Sequence, residues 1–207
     1  MSAQEQRRLV LHMSVSMDGF VAHTDGDIDW HAPRGEEAVD NGPQRHRMNL
    51  EMLSQIDVIV MGSGAYADMS RGWSGSDNPM AQFMNGLPKL VFSQSLQTVD
   101  WNNATITRRP LEDEIPELKR KDGRDIACFG GGRIAHSLIR GHLVDEFRLT
   151  VHPVMLGAGL SLMHRLPEPQ RLELDAEERR HDDEEGLDPD GDAEDAEMRS
   201  GVHDRAA

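Results

Sequence analysis

Asp125-Ile126-Ala127-Cys128-Phe129-Gly130-Gly131-Gly132-Arg133-Ile134-Ala135-His136-Ser137-Leu138-Ile139 is the stretch whose reading decides the fold. Ile126 to Phe129 is an apolar run bounded by charge and glycine, which predicts a short buried strand. Ile134, Leu138 and Ile139 are spaced to share a face with Ala135, which predicts an amphipathic helix. Three glycines join the two. Lacking a Cβ, they let a ligand approach bare backbone. The first N–H groups of a helix have no internal partners, and the helix dipole adds positive potential there. Together these features suit a phosphate or pyrophosphate. A tight turn that binds nothing could carry the same three glycines.

The join recurs upstream. Asp57-Val58-Ile59-Val60-Met61 is a continuous apolar strand running into Gly62-Ser63-Gly64-Ala65-Tyr66. Lys89 to Ser93 is a third strand of the same kind, ending at Gln94. Such runs predict central strands covered on both faces. Leu9 to Ser16 reads as a first strand and Thr105 to Thr107 as an edge strand. Glu146 to His152 alternates polar and apolar residues, which predicts a half-exposed antiparallel strand closed by Pro153. Helices are predicted over Gln44–Gln55, Pro79–Met84, Leu111–Lys121 and Arg133–Arg140, with Gly141 as C-cap. Met69 to Asn78 reads as a polar loop holding Trp73, and Val154 to Leu162 as a glycine-bent loop. Strands alternating with helices predict an α/β domain of three layers, with a mixed, mostly parallel central sheet flanked by helices. Met61–Gly62, Phe92–Ser93 and Phe129–Gly130 all end strands in glycine or small polar residues. Ligands in such sheets bind at carboxyl ends near a switch point, so the three ends are expected to meet on one nucleotide.

Composition narrows the function. The length of 207 residues suits one domain. A single cysteine, Cys128, permits no disulfide within the chain, and a cytoplasmic location is the expectation. No apolar run could span a bilayer, and Met1 to Arg8 lacks a signal-peptide core, so no membrane association is expected. The 10 histidines are scattered without ligand spacing, so no metal site is expected. From Glu168 onward 16 acids face 5 bases, which concentrates −11 of the net −15 there. The remaining body is mildly acidic without a basic stripe, which argues against a nucleic-acid partner. Residues 1–8 are predicted to be a flexible N-terminus, 9–174 the folded domain, and 175–207 an acidic tail without apolar periodicity, expected to be disordered.

Several motifs in order resemble a known family. They are Ser14-Val15-Ser16-Met17-Asp18-Gly19-Phe20-Val21-Ala22, Val60-Met61-Gly62 with Tyr66, Lys89-Leu90-Val91-Phe92-Ser93, Phe129-Gly130-Gly131, Gly141-His142-Leu143-Val144-Asp145-Glu146-Phe147, and Pro153-Val154-Met155-Leu156-Gly157-Ala158-Gly159. Over about residues 9–165 the chain resembles the dihydrofolate reductase-like superfamily. The branch it is most similar to is the stand-alone domain related to the reductase half of the bacterial riboflavin-biosynthesis deaminase-reductase. The resemblance implies a dihydrofolate reductase-like fold, NADPH as hydride donor with NADH possible, a homodimer, and reduction of a small heterocycle of pteridine or aminopyrimidinone type. It implies that Gly130, Gly131 and Gly132, beside Phe129 and with the N–H groups of Arg133 and Ile134, hold the pyrophosphate. The family often has a cis bond between paired glycines here. Gly62 and Ser63 would approach the cofactor, and Ser93 and Gln94 would lie by the adenine ribose. Ser16, Asp18 and Gly19 would border nicotinamide and substrate. Met48, Met52, Tyr66 and Trp73 would wall the substrate cavity, with core or surface packing as the equal alternative for each methionine. Asp18 is the carboxylate that the motif brings to the reacting end, and so the catalytic candidate for orienting substrate or relaying a proton; water could serve instead. The chain carries no deaminase zinc motif.

Departures qualify the resemblance. Ser63 and Ala65 stand where the family often has arginine and threonine, and Gln94 where it often has arginine. Arginine is the best partner for a 2′-phosphate. Discrimination between NADPH and NADH is therefore expected to be weak, unless Arg108 or Arg109 restores the charge. The lost cations also leave an alternative, a nucleotide-binding protein of the same fold without turnover. Leu172-Glu173-Leu174 starts like a terminal strand but runs into the acidic tail. A missing strand there would leave a sheet edge for a second copy to cover.

Overall fold

A computed structural model describes residues 6–31, 51–77 and 79–174. Met48, most of the predicted Gln44–Gln55 helix, residues 1–5 and the acidic tail fall outside the described residues; 51–54 are helical. Up to Pro169 the described residues belong to one compact unit. Residues 170–174 begin a second and carry no strand.

The elements in chain order are β1 (Leu9–Ser16), β2 (Phe20–Ala22), β3 (Ile56–Gly62), α1 (Ser63–Trp73), α2 (Pro79–Gly86), β4 (Lys89–Phe92), β5 (Ala104–Thr107), α3 (Leu111–Lys119), β6 (Asp125–Phe129), α4 (Gly132–Arg140), β7 (Glu146–His152) and β8 (Leu160–Ser161). Six strands form one sheet in the order β5-β4-β3-β6-β1-β7. All five of its pairings are parallel. Antiparallel pairing is confined to β2 with β8.

The antiparallel reading of Glu146–His152 is therefore corrected, since β7 runs parallel to β1. Its alternation reports how an edge strand is covered, which is independent of direction. The chain reaches β7 through α4, and a helical crossover is what a parallel neighbour requires. Two other expectations shift. The predicted loop from Met69 is helical as far as Trp73, because Ala65, Tyr66, Met69 and Trp73 make a buried or half-buried stripe at helical spacing. The loop after Val154 ends in β8.

The core lies in two layers, one on each face of the sheet. On one face Ile134, Ala135, Leu138 and Ile139 of α4 and Ile115 of α3 pack on Leu9, Leu11, Met13, Ile126 and Cys128. On the other, Ala65 and Tyr66 of α1 and Met84 of α2 pack on Ile59, Met61, Val91 and Ala127. Thus α1 and α4 flank opposite faces. After β3 the chain moves outward to β4; after β6 it moves the other way to β7. Adjacent strands β3 and β6 therefore form a topological switch point, the place where open α/β sheets bind ligands at their strand carboxyl ends. The chain entering β1 is pinned rather than free: Arg7 is buried and bonds Asp57, the Arg124 carbonyl and the Leu118 carbonyl.

Candidate functional site

Two glycine turns face each other across the switch point. Gly130 and Gly131 adopt φ +63° and +76°, and Gly131 is the N-cap of α4, with no side chain bonding the exposed first turn. Gly62 holds the same position at α1, again without a side-chain cap. The turns touch. A Cβ on Gly131 would lie 3.1 Å from Ile134 Cγ2 and 3.3 Å from Ala65 Cβ, and one on Gly132 would lie 2.8 Å from Val21 Cγ2. Glycine is required for the positive φ and for this approach. The cis peptide often found in the family at this place is not present; among the described residues every peptide is trans. Two successive left-handed residues turn the chain instead. The result is two closely packed glycine turns, each starting a helix without a side-chain cap, whose free N–H groups suit a pyrophosphate.

Next to Gly62 in register is Phe92, and next to Phe92 is Thr107. Just beyond these ends a cleft of about 250 Å³ is lined by Phe92, Ser93, Gln94, Thr107, Arg109, Pro110 and Leu111. Arg108 does not reach into it as a free cation. Its guanidinium donates to the carbonyls of Ser93, Gln94 and Leu96 at 2.9–3.1 Å. The Gln94 amide donates to the Arg108 carbonyl, and Ser93 Oγ accepts from Leu96 N.

On the far side of the glycine turns, beyond β6, is the end of β1. Ser16 is buried; its Oγ donates to Asp18 at 2.6 Å and accepts from Phe20 N at 2.9 Å. Asp18 also accepts from Leu156 N at 3.2 Å and Gly157 N at 2.7 Å. The hydrogen bond from Ser16, helped by the backbone donors, holds the Asp18 carboxyl below the usual range, so it is ionised at neutral pH. It ties the turn after β1 to the loop before β8, two segments far apart in sequence.

β1 is an internal strand, so both faces should be apolar. One is. Register sends its alternate residues, with those of β7, to the α1 side: His12 beside Phe129 and Arg148, Ser14 beside Thr150, Ser16 beside His152. The His12 ring stacks on Phe129, with centroids 4.9 Å apart. Burial, with the charge of Arg148 adding, lowers its pKa to about 4, so the ring is neutral. Its Nε2 is buried with no hydrogen-bond partner among the described residues. A polar face on an internal strand fits a wall for a polar guest better than core packing.

The sequence matches the family described as the RibD C-terminal domain over residues 7–185. The chain belongs to that family. A curated relative, the uncharacterized protein YyaP of Bacillus subtilis (strain 168), is 29% identical over 175 residues, covering 82% of this chain and 86% of YyaP. A crystal structure of a candidate riboflavin biosynthesis protein from Shewanella sp. PV-4 superposes with TM-score 0.58 at 24% identity, covering 78% of this chain and 86% of that one. The diaminohydroxyphosphoribosylaminopyrimidine deaminase/5-amino-6-(5-phosphoribosylamino)uracil reductase of Thermotoga maritima superposes with TM-score 0.54 at 14% identity. There the match covers 80% of this chain and about half of the other, 51%. The dihydrofolate reductase-like three-layer α/β fold expected from the motifs is the fold of this RibD C-terminal domain.

Within that fold the sheet edge brings together Ser93 and Gln94, Gly62 and Ser63, Phe129 to Ile134, and Ser16 to Gly19, in the spatial order β4, β3, β6, β1. Tyr66 is placed elsewhere. It is buried in the α1-side core, its hydroxyl donating to Asp100 and accepting from Asp100 N and Trp101 N. Met52 and Trp73 pack half-buried on the same core. His12, Ser14, Arg148 and Thr150 were not singled out from sequence. The available signal was His12, Ser14 and Ser16 at every second position of a strand otherwise apolar.

Asp18→Asn should melt below the parent protein at neutral pH, because a carboxamide cannot offer two acceptor oxygens to Ser16, Leu156 and Gly157. A carboxyl with a depressed folded pKa contributes stability above its unfolded pKa and loses it as pH falls through the folded one. The two melting curves should therefore converge in strong acid, and a gap independent of pH would exclude this role.

Proposed function

We propose that this chain is a nicotinamide-nucleotide-dependent reductase of a small heterocycle of pteridine or aminopyrimidinone type. The observation that carries the reading is the pair of glycine turns at the β3–β6 switch point, with two uncapped helix N-termini whose free N–H groups suit a pyrophosphate. From β4 to β1 is three strand spacings, about 14 Å, room for an extended dinucleotide along the sheet edge. In this arrangement the adenosine end takes the cleft by Ser93 and Gln94, and the reacting end lies by Ser16 to Gly19. The bound reduced nicotinamide supplies the hydride.

The chain's residues hold and orient. Gly130 to Gly132 and the N–H groups of Arg133 and Ile134 bind the pyrophosphate. Asp18 acts as a positioning residue: ionised and held by three donors, it fixes the two loops that border the reacting end, and water brings the proton. The polar face of β1 receives the substrate ring, with Phe129 beneath and His12 offering a neutral hydrogen-bonding edge. The exposed edge of β7, where Leu149 and Val151 are open to solvent, is where a second copy would add to form the homodimer.

The test is direct. NADH or NADPH should quench the tryptophan fluorescence of the full chain on titration, and the reduced-nicotinamide absorbance should fall when dihydropteridines, aminopyrimidinones or quinones are added. Binding without oxidation across that panel would instead support a nucleotide-binding protein of the same fold without turnover. Absence of binding would overturn both.

A further inference from the structure

The cleft at the ends of β4 and β5 has a charge arrangement that decides what it accepts. Arg109 lines it and is the cation that could reach a ligand there, since Arg108 is spent on three loop carbonyls. But Arg109 is already matched. Its Nη1 lies 2.9 Å from Glu114 and 2.7 Å from Glu117, both on α3. Asp113 adds a third negative charge in range, and the one further cation in the cluster, Lys121, sits 3.6 Å from Glu117. Glu114 is nearly buried, and its Oε2 makes the ion pair without a well-formed hydrogen bond. The charge of Arg109 is thus already matched by the Glu114 and Glu117 carboxylates. The remaining groups, Ser93 and Gln94, are neutral and partly engaged by their own loop.

We infer that this cleft selects a dinucleotide with a free ribose 2′-hydroxyl, NADH, over its 2′-phosphorylated counterpart, and that Glu114 and Glu117 set the choice by neutralising Arg109. The inference rests on the reading of the site as a nicotinamide-nucleotide site and concerns its adenosine end alone. A 2′-phosphate brings nearly two negative charges to a cleft where the Arg108 donors are committed to loop carbonyls and Arg109 is already ion-paired, so it must compete with Glu114 and Glu117 for one guanidinium. A 2′-hydroxyl has no charge to place and can hydrogen-bond to neutral Ser93 or Gln94. Glu114 sits in the first turn of α3 and Glu117 three residues on, on the same side of the helix, so the selectivity is built into the helix that closes the cleft.

The experiment is a titration of the full chain with NADH and with NADPH at one moderate salt concentration. NADH should bind roughly tenfold or more tightly than NADPH, a difference of about 1.4 kcal/mol. Glu117→Gln, at a half-exposed position, and the double variant Glu114→Gln, Glu117→Gln should move the ratio about tenfold toward NADPH, with melting temperature tracking that the fold is kept. Adding Arg109→Ala to the double variant should abolish that gain. A parent protein that prefers NADPH tenfold, or glutamine variants that leave the ratio unmoved, would overturn the inference while leaving the cofactor reading standing. Binding of neither dinucleotide would overturn the cofactor reading, and this inference with it.

Discussion

Gly131→Val should bind nicotinamide dinucleotides at least about a hundredfold more weakly than the parent protein while retaining the sheet and both helical layers. A hundredfold is about 2.7 kcal/mol. Two physical causes act together. The φ of +76° at residue 131 is a conformation that a β-branched side chain resists. In addition, a Cβ there would sit 3.1 Å from Ile134 Cγ2 and 3.3 Å from Ala65 Cβ, so the two glycine turns must move apart even before the two methyl groups are added. Either response displaces the α4 N-terminus from the pyrophosphate. The core beneath does not depend on this residue, because Ala135, Leu138 and Ile139 face the sheet from the following turns. Calorimetric titration beside a far-ultraviolet dichroism spectrum checks both halves. Gly131→Asn is the companion variant, since asparagine tolerates positive φ: it should lose less stability than valine but still lose affinity, because its Cβ meets the same neighbours. Affinity at parental level in the valine variant would show that the turn is structural only.

His12→Phe should make the protein more resistant to acid. The folded pKa of His12 is about 4, against 6.5 for the free side chain. Between those values the unfolded chain binds a proton that the folded chain refuses, so stability falls as pH falls across that window. The full difference corresponds to about 3 kcal/mol. Phenylalanine preserves the stack on Phe129 and has nothing to protonate. Urea unfolding at pH 7 and near pH 4 should show the parent losing on the order of that amount more than the variant. The orphaned Nε2 also gives the variant little to lose at neutral pH, since no hydrogen bond within the described residues is removed. Substrate recognition is the second readout. If the imidazole edge meets the substrate ring, KM should rise about tenfold with kcat less affected, the worth of one hydrogen bond to a buried group. An unchanged acid limb would mean that the imidazole is not held neutral by burial.

The residues by themselves determined a good deal. Ile126 to Phe129, the three glycines and the Ile134–Leu138–Ile139 stripe are local patterns, and each enforces its own structure: a buried strand, a left-handed turn and a helix with one apolar face. The same holds for Met61–Gly62 and Phe92–Ser93, so these carboxyl ends were legible before any contact was known. The order of motifs then carried the fold. Tertiary structure alone decided the rest, for reasons of distance and partner. The direction of β7 depends on which strand it joins, and its alternation is the same either way. Asp18 reads from its motif as the catalytic candidate, but that it ties two loops together is visible only once Leu156 and Gly157, far along the chain, are found donating to it. Tyr66 reads as a cavity wall until its hydroxyl is found taken by Asp100 and Trp101. Arg108 and Arg109 are indistinguishable as neighbours in sequence. Folding spends one on loop carbonyls and sets the other between two glutamates, because only the packed chain fixes which acceptors lie within reach of each guanidinium.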